Sequence, residues 1–391
     1  MDDNKAVITV ALRTPFGKYR GALSTSRPDD LLATLMKRLL DKYPQLDPSE
    51  IDDIIIGDSN GAGEDNRNIA RMSSLLAGIP VSVPGMTINR LCGSGAEAIS
   101  QAARMITSGD AHYVLAGGVE SMSRAPWIVE RGESNPGPES VFHQSTGGWR
   151  LVNPKMPSRW TKSLGVCAEE IASEFNISRD AQDEWAARSH QKTAASWDSG
   201  FHGQWVMSVG GLLEDESLRR DSTRETLSVL KPAFSEDGTI TAGNSSPIND
   251  GSILALITSK QGAENLGVQP IASILSVRSV GVSPERFTTA PIYAIQKLLK
   301  ANNLKVSDID VWEINEAFAA MVLTVLNGIP EIDHNKVNVN GGAIAIGHPI
   351  GASAGRAVID CARELNRRGG KLGVTAACIG VGQGIAVLVS T

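Results

Sequence analysis

Ile88-Asn89-Arg90-Leu91-Cys92-Gly93-Ser94-Gly95-Ala96 decides how the chain is read. Upstream, Gly85-Met86-Thr87-Ile88 is short, apolar and β-branched enough for a core strand, and downstream Ala96, Ile99, Ala102, Ala103 and Ile106 recur at helical spacing. The stretch reads as a strand, a turn of small residues and a buried helix, with Cys92 near the helix N-terminus. Unpaired N–H groups and the positive end of the helix dipole favour thiolate over thiol there, and the flanking glycines admit a carbonyl close to the backbone. A nucleophile that forms a thioester suits this place. A free cysteine is more often inert packing, so its partners elsewhere in the chain decide.

With 391 residues, 41% of them hydrophobic and 20% charged, and 39 glycines, the chain suits a turn-rich globular protein of two or three domains at about 150 residues each. A net charge of -6 without any Lys/Arg-rich block argues against nucleic acid as a partner. A local basic patch would still admit an anionic substrate. Cys92, Cys167, Cys361 and Cys378 show no C-x-x-C spacing, disulfide framework or zinc pattern, so no metal is expected and a reduced, cytoplasmic setting is. Met1-Asp2-Asp3-Asn4-Lys5 leads straight into strand-like Ala6-Val7-Ile8-Thr9-Val10 without resembling a signal peptide, and no apolar run approaches 18 residues. Val389-Ser390-Thr391 carries no retention or peroxisomal signal, and no membrane partner is expected.

Residues 6–12 read as a first strand. Asp29 and Asp30 cap a helix with Leu31, Leu32, Leu35, Met36, Leu39 and Leu40 on one face. Ile54-Ile55-Ile56-Gly57 is a fully buried strand, a helix follows near 68–76, and Tyr113-Val114-Leu115-Ala116-Gly117-Gly118 is a further core strand. Such alternation predicts an α/β layer on a mostly parallel sheet. From Glu120 to about Gly243 the pattern breaks. Six of the seven tryptophans (Trp127, Trp149, Trp160, Trp185, Trp197, Trp205) lie there, among prolines, short loops and two helices near 166–175 and 180–199. This is an inserted excursion covering one face of the core, its tryptophans either ordinary packing or a wall for a nucleotide-bearing ligand. Core pattern returns with strands over 251–257, 271–280 and 311–315, helices over 290–301, 317–326 and 352–367, and a closing pair at 371–377 and 384–389. The chain thus divides into two similar α/β halves, 1–119 with 244–269 and 270–391, with 120–243 inserted in the first.

Three tail segments carry reactive groups. Gly341-Gly342-Ala343-Ile344-Ala345-Ile346-Gly347-His348-Pro349 presents His348 just before a helix opened by small residues, with nothing local to bury it. Ala377-Cys378-Ile379-Gly380-Val381-Gly382-Gln383-Gly384 sets a thiol ahead of three alternate glycines, more than a tight hairpin needs, which suggests backbone exposed to a ligand. Asn315-Glu316-Ala317-Phe318 ends an apolar strand with a polar pair that is either a helix cap or part of a site. Two thiols and an imidazole without an acidic partner fit carbon–carbon chemistry on a thioester better than proteolysis. A second thiol can take a proton from the carbon beside a carbonyl.

Asn89-Arg90-Leu91-Cys92-Gly93-Ser94-Gly95, Gly117-Gly118-Val119-Glu120-Ser121-Met122-Ser123, Asn315-Glu316-Ala317-Phe318, Gly347-His348-Pro349 and Cys378-Ile379-Gly380-Val381-Gly382-Gln383-Gly384 resemble the signature blocks of the thiolases, acyl-CoA:acetyl-CoA C-acyltransferases, in order and spacing along essentially the whole chain. The resemblance implies the five-layered α-β-α-β-α thiolase fold with an inserted loop domain, assembled as a homodimer or homotetramer. It implies that Cys92 carries the acyl group and that His348 deprotonates it, then helps bind the thioester oxygen with a water on Asn315. Cys378 moves the α-carbon proton, and the N–H groups of Cys92 and Gly380 form an oxyanion hole. Coenzyme A and acyl-CoA are substrates and no cofactor is implied. Arg219 matches the family's adenine-side arginine, Ser246 its pantetheine-contacting serine and Phe318 the apolar neighbour, with Leu164 in the same binding group.

Ser163 and Leu164 stand where biosynthetic thiolases have His-Met, and Phe287 where they have Met, departures from the acetoacetyl-CoA-forming pattern. Gly148-Trp149-Arg150-Leu151-Val152-Asn153-Pro154 resembles thiolases acting on 3-oxoadipyl-CoA and related degradative 3-oxoacyl-CoAs. Arg150, Lys155 or Arg159 is then placed to meet a distal carboxylate. Competing readings are a biosynthetic acetyl-CoA C-acetyltransferase, an acyl-CoA hydrolase, a non-catalytic acyl-CoA binder, and a decarboxylating ketosynthase, which looks for a second histidine where this chain has Cys378.

Overall fold

The computed structural model describes residues 5–131 and 140–391; positions 1–4 and 132–139, within the first and inserted segments above, lie outside the described residues. In chain order the strands are β1 (Ala6–Arg13), β2 (Gly17–Lys18), β3 (Asp53–Gly57), β4 (Met86–Ile88), β5 (Tyr113–Ser121), β6 (Trp127–Val129), β7 (Phe142–Gln144), β8 (Asn249–Ser259), β9 (Ala272–Gly281), β10 (Val311–Ile314), β11 (Leu372–Ile379) and β12 (Gln383–Ser390). The helices are α1 (Pro28–Lys42), α2 (Ile69–Leu76), α3 (Ser94–Ser108), α4 (Leu164–Glu174), α5 (Arg179–Asp198), α6 (Arg224–Ser228), α7 (Lys260–Asn265), α8 (Ala290–Ala301), α9 (Ala319–Gly328), α10 (Ala343–Ile346) and α11 (Ile350–Arg368).

Side chains alternate between faces along a strand, and the central strands are buried on both faces, so β8 and β12 each feed two apolar clusters. Leu254 and Leu256 of β8 join Ile54 and Ile56 of β3 against Leu32, Leu35, Met36 and Leu39 of α1. Ile253, Ala255 and Ile257 turn the other way, toward Ala98, Ile99 and Ala102 of α3 and Val358, Ile359 and Leu365 of α11. On β12, Ile385 and Val387 join that central cluster, while Ala386 and Leu388 face α8 and α9. Five layers result: α1 and α2, one half-sheet, α3 with α11, the other half-sheet, α8 with α9. This is the α-β-α-β-α arrangement expected.

The strand order is β10-β11-β12-β9-β1-β8-β5-β3-β4, with β2 beside β8. The halves meet at β1 and β9 through Val7↔Ser273 and Ile8↔Ala272. The expectation of a mostly parallel sheet is overturned. Pairs β3–β4, β3–β5 and β10–β11 are parallel, but β8 runs antiparallel to both β1 and β5, and β12 to both β9 and β11. A strand delivered by a long excursion can enter between two earlier strands in either direction, and local pattern does not record which.

Smaller corrections follow from local chemistry. Helix α1 starts at Pro28, whose fixed φ and missing N–H suit a first helical position, so Asp29 and Asp30 fall in the first turn instead of capping; Asp29 binds the Arg27 guanidinium at 2.8 and 2.9 Å. Strand β4 is an edge strand, half-exposed, not a core one. Helix α9 begins at Ala319, two residues later than its apolar run. In the excursion, Cys167, Ala168 and Ala172 of α4 and Trp185, Ala186 and Ala187 of α5 share one cluster with α9. Trp185 and Trp205 are buried packing, whereas Trp127 is 65% exposed. Among the described residues no helix is long and apolar enough to cross a membrane, and no group of His, Cys, Asp or Glu could hold a metal ion.

Candidate active site

The parallel strands end in the chemically interesting turns, as open α/β sheets do at their ligand-binding edges. Ser59 and Asn60 follow β3, Leu91-Cys92 follows β4, Glu120 lies at the end of β5, Asn315 follows β10, and Gly380 follows β11. Ser59, Asn60, Cys92, Glu120 and Gly380 line one pocket, walled by Trp149, Arg150 and Leu164 from the excursion.

Cys92 occupies a single 3-10 turn, Leu91–Gly93, ahead of α3. The backbone N–H groups of Gly380 and of Cys92 itself point at its sulfur, yet burial outweighs them and pushes the thiol up to about 11, with the Glu120 charge adding to the rise. Burial thus works against the expected thiolate and favours the thiol. Both sides of the sulfur carry backbone strain, with φ of 47° at Leu91 and 60° at the β-branched Val381. Cys378, buried on β11, lies close enough to Cys92 to feel its charge; burial first and Cys92 second hold its thiol well above the ordinary range.

His348 lies between α10 and α11. Gly347 before it has φ of 118°, and a Cβ there would stand 2.6 Å from the Asn249 carboxamide carbon. That close approach lets the His348 N–H donate to Asn249 Oδ1 at 3.0 Å. The side chain is buried, 8% exposed, although its own small-residue loop has nothing to bury it. Nδ1 stands 2.7 Å from Ser353 Oγ, and the Ser353 hydroxyl donates to Pro349 O at 2.8 Å. Having spent its one proton, Ser353 accepts from Nδ1–H, which leaves Nε2 as the acceptor. Burial, then the Arg356 charge, pushes His348 down to about 4, so the imidazole is neutral at pH 7.

Asn315 is fully buried and its carboxamide makes no hydrogen bond among the described residues, which leaves both its polar atoms for a small oxygen ligand. It is no helix cap: α9 has Phe318 at its N-cap position. Its neighbour Glu316 ties the region together, accepting from Trp185 Nε1 at 3.0 Å, Ser189 Oγ at 2.6 Å, Asn338 Nδ2 at 2.9 Å and Ile344 N at 3.2 Å.

Glu120, to which the sequence assigns no role, is the buried carboxylate of the pocket. Its Oε2 accepts from Ser59 N at 3.0 Å, Ser59 Oγ at 2.6 Å and Gly351 N at 2.9 Å. The last bond needs β5 and α11 in contact, and a Cβ on Gly118 would lie 2.1 Å from Gly351 O. Burial raises this carboxyl to about 7 and its neighbour Asp58 to about 9, Glu120 adding to the latter. A lone carboxylate closing an apolar strand was the available signal. Ser59, Asn60, Asn249 and Ser353 carried none.

The residues carried over for coenzyme A are not gathered in one cavity. Leu164 lines the Cys92 pocket, whereas exposed Arg219 lines a second cavity with Lys18, His190 and Pro247. Ser246 and Phe318 are neighbours, through the Ser245↔Phe318 bridge and Ser246 N to Ala317 O at 3.0 Å. Of the three basic residues expected near the acyl group, Arg150 reaches the pocket. Lys155 is exposed, and Arg159 lies 3.8 Å from Glu285.

Residues 6–261 match the sequence profile of the thiolase N-terminal domain, and residues 268–391 that of the thiolase C-terminal domain. The chain belongs to the thiolase family. This thiolase, an acyltransferase by that membership, is 46% identical over 98% of its length, and of the relative's, to the 3-oxoadipyl-CoA/3-oxo-5,6-dehydrosuberyl-CoA thiolase of Escherichia coli K12. It is 38% identical over 99% of both chains to a probable acetyl-CoA acyltransferase of Staphylococcus aureus. Among solved structures it resembles human mitochondrial 3-ketoacyl-CoA thiolase in complex with CoA, with a TM-score of 0.91 and 36% identity over 100% of this chain and 99% of that one. The Bacillus anthracis acetyl-CoA acetyltransferase gives 0.90 and 35% at the same coverage.

Proposed function

We propose that this thiolase uses coenzyme A to cleave a 3-oxoacyl-CoA, with 3-oxoadipyl-CoA as its substrate. The observation that carries the chemistry is the Cys92 sulfur at the pocket, with two backbone N–H groups aimed at it and the Cys378 thiol alongside. Neutral His348, its Nε2 unprotonated, takes the Cys92 proton as the thiolate attacks the 3-oxo carbon. The N–H groups of Cys92 and Gly380 stabilise the oxyanion that forms, a contribution typically of several kcal/mol. The bond between the α-carbon and the 3-oxo carbon breaks, and its electron pair takes the Cys378 proton, releasing acetyl-CoA. The thiol of free coenzyme A then gives its proton to the Cys378 thiolate and attacks the acyl-Cys92 thioester; the bond to the Cys92 sulfur breaks, that sulfur recovers its proton from His348, and the shortened acyl-CoA leaves, succinyl-CoA from 3-oxoadipyl-CoA. Asn315, through a water, and His348 hold the thioester oxygen in these steps.

Coenzyme A acts as a substrate, its pantetheine passing Ser246, Phe318 and Leu164 and its adenine lying toward Arg219; the CoA complex of the human relative supports this reading. The four free cysteines support a cytoplasmic setting, and the half-exposed edge strand β4 supports assembly as a homodimer or homotetramer. The substrate assignment is supported by the E. coli relative and by the cation in the pocket. The test is CoA-dependent cleavage of acetoacetyl-CoA, 3-oxohexanoyl-CoA, 3-oxodecanoyl-CoA and 3-oxoadipyl-CoA. Preference for the last is expected, and cleavage of none contradicts the proposal.

A further inference from the structure

Arg150 is a cation without a counter-charge: among the described residues no carboxylate lies within ion-pair distance of it, although it lines the same pocket as the Cys92 thiol. Among the described residues its Nη2 alone makes hydrogen bonds, to Asn60 Oδ1 at 3.0 Å and Asn60 O at 3.5 Å. The remaining guanidinium donors are uncommitted, in the planar fork that matches a carboxylate.

The guanidinium is also aimed. Asn60 turns its oxygen to Arg150 because its nitrogen donates to Ser145 Oγ at 3.2 Å and Ser145 O at 3.3 Å, and Ser145 Oγ is fixed on Pro126 O at 2.6 Å. On the other side, Trp149 lies against the oxyanion-hole residue, since a Cβ on Gly380 would stand 2.9 Å from Trp149 Cη2; its Nε1 donates to Lys162 O at 3.2 Å. Arg150 is thereby held in the wall of the pocket that Cys92 also lines. Glu120, the other charged group of the pocket, is engaged elsewhere, its Oε2 taking three donors from Ser59 and Gly351.

Resting on the thiolase reading above, we infer that Arg150, positioned by the Asn60–Ser145 relay, is the specificity-determining residue that binds the distal carboxylate of a dicarboxylic 3-oxoacyl-CoA. The relay holds one edge of the guanidinium while the substrate takes the other. An uncharged acyl chain of equal length leaves that edge unpaired in the pocket, so the site discriminates by loss as well as by gain.

The test is the ratio of kcat/KM for 3-oxoadipyl-CoA to that for 3-oxohexanoyl-CoA, in the wild type, Arg150→Gln and Asn60→Asp. The wild-type ratio should fall roughly 100-fold in Arg150→Gln, the scale of one charge-assisted hydrogen-bonded pair. Asn60→Asp supplies an internal carboxylate that competes for the same guanidinium, and its ratio should fall as well, with the arginine still present. A variant that merely folds poorly lowers both efficiencies and leaves the ratio in place. If the wild type prefers 3-oxoadipyl-CoA and both variants keep that preference, the assignment of Arg150 is overturned while the substrate reading stands. A wild type without preference overturns both.

Discussion

His348 Nδ1 stands 2.7 Å from Ser353 Oγ, and the serine's own proton is committed to Pro349 O at 2.8 Å. A hydroxyl in the first turn of α11 thus dictates which imidazole nitrogen can accept a proton. Ser353→Ala frees the ring to adopt the other tautomer. It should lower kcat by about 10- to 100-fold, within the range of general-base effects, while the KM for acyl-CoA changes little. A matched change in KM with kcat intact would point to altered binding instead.

Cys92 is a thiol at rest because burial outweighs the two N–H groups aimed at it, lifting it to about 11. Alkylation of the free enzyme by iodoacetamide at this residue should therefore accelerate about tenfold per pH unit between roughly pH 7 and 9, following the thiolate fraction. A rate already level at neutral pH would mean that the helix dipole prevails after all.

Asp58 next to Glu120 makes stability depend on pH. Burial lifts its carboxyl from an ordinary 3.8 to about 9, so the folded chain keeps a proton that the unfolded chain has released. The stability tied to that proton is complete below pH 3.8 and drains as pH rises toward 9, by at most about 1.4 kcal/mol per unit. The carboxamide of an Asp58→Asn variant would mimic the protonated acid and keep the bond from Gly61 N, 3.1 Å in the parent. The Asp58→Asn gain in Tm should be larger at pH 8 than at pH 5.5, and an equal gain at both would show that Asp58 is not the group responsible.

Glu316 gathers donors from α5, from Asn338 in the segment after α9, and from Ile344 in α10 ahead of His348. Glu316→Leu orphans the Trp185 indole N–H and the Ser189 hydroxyl in a buried site. A loss of about 3 kcal/mol or more in urea unfolding is expected, since each stranded donor costs about 1–3 kcal/mol. A loss below about 1 kcal/mol would show that water replaces the carboxylate there.

Much of this architecture was legible in the chain. Helix α8 falls on its apolar period, and the Cys92, His348 and Cys378 segments end strands or open helices as their glycines suggest. Strand direction was not legible, because β8 finds its place between β1 and β5 only after the excursion, and the hydrophobic run Ile253–Ile257 looks the same in either direction. The charge state of Cys92 was not legible either: a helix start is a local feature, but desolvation depends on everything folded over it. Asn60 and Ser145 lie 85 residues apart and meet only around Arg150. Sequence could nominate three basic residues there, and only packing distinguishes the one that lines the pocket.

The division of labour between the two thiols is the centre of this account, and the Cys378→Ser variant isolates it. Incubated with acetyl-CoA and followed by intact mass spectrometry and peptide mapping, it should gain the mass of one acetyl group on the Cys92 peptide while failing to cleave 3-oxoadipyl-CoA; Cys92→Ser should do neither. An unacetylated Cys378→Ser enzyme, or one that still cleaves the substrate at the wild-type rate, would contradict the assignment of acyl transfer to Cys92 and proton transfer to Cys378.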